Sequence, residues 1–266
     1  MDNRAIGIFD SGIGGLTSLK TLRALMPEEN FIFFADTGRM PYGGRSLDEL
    51  RRIAVQDMDL LAALDVKCIL SACGTISSAA HAELASYPVP AFGVLHPAVE
   101  AMAAVEQDGP LCILATAASI ESGQFTEPLR ALCPGREIVG LACPEFAPMI
   151  EAGHIAPEDP VLQESVARAL ESIRGRHFAA LLLGCTHYGV IAGSIRSFLG
   201  TADPILSAAD CGAFAVREYL MDHNLRGTGG KTEFLISCAP GAFDAFASRY
   251  LEIGPVHARQ VPVMEL

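Results

Sequence analysis

Two cysteines, Cys73 and Cys185, hold matching places in the two halves of this chain. Each closes a short apolar run and is followed closely by a threonine. The contexts are Cys68-Ile-Leu-Ser-Ala-Cys73-Gly-Thr75 and Ala180-Leu-Leu-Leu-Gly-Cys185-Thr-His187. Such a run, ending in small polar residues, predicts a buried parallel strand at its carboxyl end. In open α/β sheets ligands bind at that end. Two thiols so placed could face one another across a cleft and exchange protons with a molecule held between them. A reactive thiol needs a lowered pKa, which helix N-termini or nearby cations supply, and both cysteines are expected to precede helices. His187 is placed to poise Cys185, although a histidine in isolation is more often structural. A Cys-x-His pair also raises zinc. Zinc sites take three or four protein ligands, commonly in close pairs, and no second close Cys/His pair exists, so no metal is expected. Histidines 81, 96, 154, 177, 223 and 257 show no partner pattern.

Three further segments could serve such a site. Asp10-Ser-Gly-Ile-Gly-Gly15 predicts a strand, a glycine turn and a helix. The turn suits an anion at the helix N-terminus, or equally a simple cap by Asp10 or Ser11. A dinucleotide fingerprint would require glycine at position 17, which is Thr17. Ala35-Asp-Thr-Gly-Arg-Met-Pro-Tyr-Gly-Gly44 runs from a strand end into a Pro/Gly-rich loop. Alone it is a surface turn in which Tyr42 packs locally. Glu151, in Phe146-Ala-Pro-Met-Ile-Glu-Ala-Gly153, would by itself be an ordinary helix-end acid.

The elements that must position these residues repeat. Expected strands run 5–9, 31–35 and 68–72, then 111–115, 137–142 and 179–184. Helical spacing places Leu16, Leu19, Leu22 and Met26 on one face, and Leu50, Ile53, Ala54, Met58 and Leu61 on another. Further helices are expected over 164–173, 210–220 and 242–250. Alternation of strands and helices predicts βαβ units and parallel sheets. Pro88, Pro90, Pro97 and Pro204 are read as crossings between lobes, and 224–231 as a glycine-rich surface loop. The expected division is 1–97 plus 207–266 for one lobe and 98–206 for the other, the tail returning to complete the first.

The composition narrows the function. Of 266 residues half are hydrophobic and 19% charged, enough for a large core. No apolar run reaches the ~18 residues needed to span a bilayer, and the N-terminus lacks a signal-peptide pattern, so a soluble cytoplasmic protein without a membrane partner is expected. A net charge of −12 with no Lys/Arg cluster argues against nucleic acid. The eight cysteines lack CxxC spacing, and disulfides are not expected in such a setting. Cys68, Cys112 and Cys238 read as small buried hydrophobes. Lys20, Lys67 and Lys231 lack a Schiff-base context, so no cofactor is expected.

The ordered set Asp10-Ser-Gly-Ile-Gly-Gly-Leu16, Ala35-Asp-Thr, Pro41-Tyr-Gly43, Ala72-Cys73 with Thr75, Glu151-Ala-Gly153 and Gly184-Cys-Thr-His-Tyr188 resembles the glutamate racemases, of the cofactor-independent aspartate/glutamate racemase superfamily. The resemblance runs from about Ile6 to the C-terminus. It implies two pseudo-symmetric α/β lobes, each a mainly parallel sheet flanked by helices, with the active site between them. It further implies that Cys73 and Cys185 are the two acid/bases, Asp10 assisting the first, His187 and Glu151 the second. Asp10, Ser11, Pro41, Tyr42, Gly43, Gly74, Thr75, Thr186 and His187 would line the site for a small amino-acid substrate. The product, D-glutamate, would feed peptidoglycan synthesis, and a homodimer is carried over as an expectation. Three positions depart from the pattern: Gly74 where the family usually has Asn, Gly189 where it often has Pro, and Thr116-Ala-Ala-Ser119 in place of a threonine-rich run. The alternatives are a related racemase acting on aspartate, a hydantoin or another chiral acid, and a non-catalytic two-lobe binding protein. A Cys/His hydrolase would leave Cys73 without a role.

Overall fold

The computed structural model describes residues 1–263. The first half alternates strand and helix: β1 (Ile6–Asp10), α1 (Leu16–Leu25), β2 (Phe31–Ala35), α2 (Leu47–Ala62), β3 (Cys68–Ser71), α3 (Gly74–Ala79), α4 (His81–Ser86), β4 (Ala91–Gly93) and α5 (Leu95–Ala103). The second continues with β5 (Leu111–Ala115), α6 (Ala117–Glu121), α7 (Thr126–Leu132), β6 (Ile138–Ala142), α8 (Phe146–Glu151), α9 (Pro160–Leu170), β7 (Ala180–Leu183), α10 (Ala192–Leu199) and β8 (Ile205–Ser207). The chain ends with α11 (Ala208–Asp222), β9 (Thr232–Ile236), α12 (Gly241–Leu251) and β10 (Arg259–Gln260).

All pairings are parallel. One sheet has the order β10-β9-β2-β1-β3-β4 and the other β6-β5-β7-β8. The run β2-β1-β3-β4 matches β6-β5-β7-β8 strand for strand, so the faint repeat in the sequence is a repeat of topology. In each unit the chain leaves its first strand to one side and returns on the other. The crevice where it switches lies at the carboxyl ends of β1 and β3 in one sheet and of β5 and β7 in the other.

Burial explains the strand sequences. β1, β2, β3, β5 and β7 are buried along their whole length. Helices cover both faces, so these strands read as unbroken apolar runs. The helices read by period and cap. α2 starts with a capping box between Ser46 and Glu49 and buries Leu50, Ile53, Ala54, Met58 and Leu61. α9 starts with Asp159 accepting from the Val161 N–H and Pro160 in its first turn. One apolar cluster joins the two sheets, with α11 packed on both α1 and α5. A second lies between the larger sheet and α2 to α4.

Several expectations change. Pro88 and Pro90 lead into β4 rather than out of the first sheet, and Pro97 lies in the first turn of α5. There its missing N–H leaves no helical bond unmade. Cys238 lies beyond β9 rather than within a strand; it is partly exposed, with its sulfur 3.0 Å from Thr37 Oγ1. Among the described residues no helix is long and apolar enough to cross a membrane.

Candidate active site

A cavity of about 410 Å³ opens between the carboxyl ends of the two sheets. Every residue singled out from the sequence lines it: Asp10, Ser11, Pro41, Tyr42, Gly43, Cys73, Gly74, Thr75, Glu151, Cys185, Thr186 and His187. The topology accounts for this convergence. Asp10 is the last residue of β1, Cys73 follows β3 and Cys185 follows β7, so all sit at switch points.

Cys73 is the N-cap residue of α3, with extended backbone (φ −88°, ψ 117°). Burial and then the neighbouring Asp10 charge push its thiol up to about 12, against the pull of the Ile76 and Thr75 N–H groups; Cys185 is near enough to add to the rise. Asp10 is fully enclosed, and its Oδ2 accepts from the N–H groups of Gly12 (3.2 Å) and Gly15 (3.0 Å). Burial raises its carboxyl above the ordinary 3.8, opposed by His187 and by those two N–H groups.

Cys185 occupies the equivalent N-cap position of a 3-10 turn, Thr186–Ile191. Its sulfur lies 3.7 Å from His187 Nδ1, and His187 Nε2 lies 2.7 Å from Glu151 Oε1. Burial disfavours the imidazolium. The hydrogen bonds to Cys185 and Glu151 outweigh it and hold His187 well above its usual range. Glu151 Oε1 also accepts from the Ile13 N–H at 3.3 Å, across the cleft.

The glycine turn after β1 is shaped by this second group. A Cβ on Gly14 would stand 2.4 Å from His187 Nδ1, and one on Gly12 would stand 2.5 Å from Glu151 Oε1. Only glycine lets the turn of one lobe approach the acid–imidazole pair of the other so closely. Thr17 Oγ1 ties the same turn across the cleft, lying 2.7 Å from the Gly14 carbonyl and 3.2 Å from that of Thr186.

The cavity also takes Met40, Thr116, Ser119, Pro144, Ala147 and Pro148 into its wall. Thr116 caps α6 and accepts from the Ser119 N–H at 3.3 Å. It directly follows β5, close to the place Asp10 holds at the end of β1, so the internal repeat contained the signal for it. The residues before and on α8 carried none, because a helix of six residues shows no full apolar period. Tyr42 lines the cavity, and its hydroxyl donates to Asp36 Oδ2 at 2.6 Å. Among the described residues no group of three or more His, Cys, Asp or Glu is arranged to hold a metal ion.

One cavity thus carries two thiols from equivalent strand ends of duplicated sheets, each beside its own acid. Two thiols so placed could exchange protons with a molecule bound between them. The family model for Asp/Glu/Hydantoin racemase matches residues 19–216, and the chain belongs to that family. A glutamate racemase from Thermus thermophilus is 39% identical over 92% of this chain and 91% of its own length. Among solved structures, a glutamate racemase isoform from Bacillus anthracis superposes with a TM-score of 0.88 at 27% identity, covering 98% of both chains. A glutamate racemase from Francisella tularensis, in complex with D-glutamate, superposes with a TM-score of 0.84 at 28% identity, again covering 98% of both.

Proposed function

We propose that this chain interconverts L- and D-glutamate without a cofactor, Cys73 and Cys185 acting on opposite faces of the α-carbon. The observation that carries the reading is the pair itself: two N-cap cysteines, one from each sheet, lining one cavity. An α-proton is very weakly acidic, and a carbanion needs stabilisation where it forms. Helix N-termini leave their first N–H groups without intrahelical partners, and the turns after β3 and β7, with Gly74, Thr75 and Thr186 on the cavity wall, would present such groups to a substrate. In a closed, dry site they would hold the substrate carboxylate as charge moves onto it.

Each direction requires one thiolate and one thiol. Asp10 would accept or return the proton beside Cys73, and Glu151 through His187 would do so beside Cys185. A substrate ammonium brought against the Cys73 thiol would favour its thiolate. Ser11, Pro41, Tyr42, Gly43, Gly74, Thr75 and Thr186 would contact the substrate. The sheet membership of the strands supports lobes of 1–97 plus 207–266 and 98–206. The product would serve peptidoglycan synthesis in the cytoplasm, and the enzyme would be a homodimer.

A circular-dichroism assay run from both enantiomers tests this. The wild type should bring L- and D-glutamate to the same racemic end point. Proton transfer by a positioned side chain is worth roughly 10²–10⁴-fold, so Cys73→Ala and Cys185→Ala should each lose at least that much kcat. Full activity in either variant would remove the two-thiol mechanism. One observation favours a second reading, another chiral acid as substrate. A side chain at Gly74 would meet only the Gly184 carbonyl, at 3.4 Å, so the cavity has room beside Cys73. Turnover of such an acid with none of glutamate would establish it.

A further inference from the structure

Behind the cavity wall lies a group of charges that the proton transfers do not use. Arg39 spends all three guanidinium nitrogens on it. Nε donates to Asp36 Oδ2 at 2.6 Å, Nη1 to Gln56 Oε1 at 2.5 Å, and Nη2 to Asp57 Oδ1. The Tyr42 hydroxyl is set between the same two carboxylates, 2.6 Å from Asp36 Oδ2 and 3.2 Å from Asp57 Oδ2. Asp36 is 0% exposed, Asp57 1%, Tyr42 3% and Arg39 8%. Asp36 Oδ1 has no partner among the described residues, so its Oδ2 alone serves both Arg39 and Tyr42.

We propose that Asp36, Arg39 and Asp57 are positioning residues for the reaction, clamping the Tyr42 hydroxyl and thereby fixing the Pro41–Gly43 backbone against the cavity beside Cys73. The cluster joins three elements: Asp36 follows β2, Arg39 lies in the 3-10 turn Thr37–Arg39, and Asp57 sits on the buried face of α2. Met40, Pro41, Tyr42 and Gly43, which it anchors, all line the cavity. Arg45 braces the loop from the other side, donating to the Arg39 carbonyl at 2.8 Å and the Pro41 carbonyl at 3.3 Å. Apolar packing would serve folding as well as a buried ion cluster. What the cluster adds is direction, because a planar fork fixes the plane and distance of every partner.

One guanidinium faces two carboxylates here, so the balanced state holds one extra proton. Burial and the Asp36 charge push Asp57 well above its ordinary value, against the pull of Arg39. A protonated Asp57 Oδ2, which that shift favours, would donate to the Tyr42 oxygen while Tyr42 donates to Asp36. The phenol is therefore committed on both sides. Tyr42 serves the cavity through its ring and backbone, and its hydroxyl is not a substrate ligand.

This inference rests on the racemase reading, and its test separates the two. Backbone hydrogen exchange over 42–45 and glutamate kinetics would be measured on the full chain for wild type, Asp57→Ala, Arg39→Lys, Tyr42→Phe and Asp57→Asn. Losing a buried hydrogen-bonded partner should speed loop exchange and raise KM about tenfold or more in the first three, with kcat less affected. Lysine fails because its single nitrogen cannot span the acceptors that Arg39 reaches with three separate nitrogens of a planar fork. Asp57→Asn, which keeps the Arg39 bond and supplies the donor toward Tyr42, should stay near wild type. Tyr42→Phe, one oxygen smaller, carries the test if Asp57→Ala does not fold. Folded variants whose loop exchange matches wild type would overturn the proposal, as would Asp57→Asn behaving like Asp57→Ala. A wild type inert toward glutamate would instead overturn the racemase reading, and the exchange measurement would still decide this one.

Discussion

Cys73 and Cys185 share a backbone position but not an environment, and the difference lies in their partners. Beside Cys73 stands a carboxyl that burial makes reluctant to ionise; beside Cys185 stands an imidazole that its neighbours keep protonated. The folded pKa of Asp10 is raised, so the native state holds its proton more tightly than the unfolded chain. Stability is then lost as pH rises from about 3.8 through the raised value. Asp10→Asn keeps an acceptor for the Gly12 and Gly15 N–H groups without the buried charge. It should resist urea better than wild type at neutral pH, show no such gain near pH 3, and lose activity. A neutral-pH midpoint below wild type would contradict this. His187 is also raised, so the stability its charge contributes is full below its ordinary value of 6.5 and is lost as pH climbs through the higher folded value. In Glu151→Gln the imidazolium loses its carboxylate, and the alkaline limb of kcat/KM should move to lower pH. An unmoved limb would separate His187 from the reaction. The cysteines, Asp10 and His187 were legible because chemistry-bearing residues at strand ends stand out from apolar runs. The Asp36–Arg39–Asp57 cluster was not. Asp57 lies on a helix rich in charged residues, and nothing local tells a buried aspartate from a solvated one.

The turn between β1 and α1 shows what an element contributes beyond its residues. Its glycines bring one lobe against the His187–Glu151 pair of the other, so the element also defines the cleft. Gly14→Ala would drive a methyl group to 2.4 Å from the imidazole and 2.8 Å from the Thr186 hydroxyl, while the imidazole is held by its 2.7 Å contact with Glu151. The protein should remain folded, because the rest of the turn is unaltered, but kcat should fall about tenfold or more, as misplacement of catalytic groups does. Unchanged kcat in a folded Gly14→Ala protein would show that the close approach is incidental. The sequence disclosed this element at the level of strand, turn and helix, and left open whether the glycines served an anion or a cap. The neighbour that decides the matter, Glu151, is 138 residues away from the turn's Ile13. Strands were legible for a related reason: parallel strands covered on both faces are continuous apolar runs. β4, β8 and β10, of two or three residues, and helices of five to seven, are too short to show a period.

The molecule as a whole is a duplicated sheet unit with an extension. Two copies of one strand order place two equivalent switch points face to face, and each supplies a thiol. β9 and β10 extend only the first sheet, joining beyond β2 and away from the cleft. α11 meets α1 and α5 within the apolar cluster shared by the two sheets. The repeat was visible in the near-constant spacing of strand ends, while the order of strands became visible only when pairing was known. Inversion by two bases on opposite faces makes one demand that a single base does not. The proton delivered must come from the solvent-equilibrated thiol, not from the substrate. The direct measurement is racemisation of protiated L-glutamate in D2O, stopped early and read by proton NMR of the separated enantiomers. The D-glutamate formed should carry deuterium at the α-carbon from the first turnovers, while recovered L-glutamate stays protiated. Protium retained in the product, or label appearing equally in both enantiomers from the start, would contradict two opposed thiols.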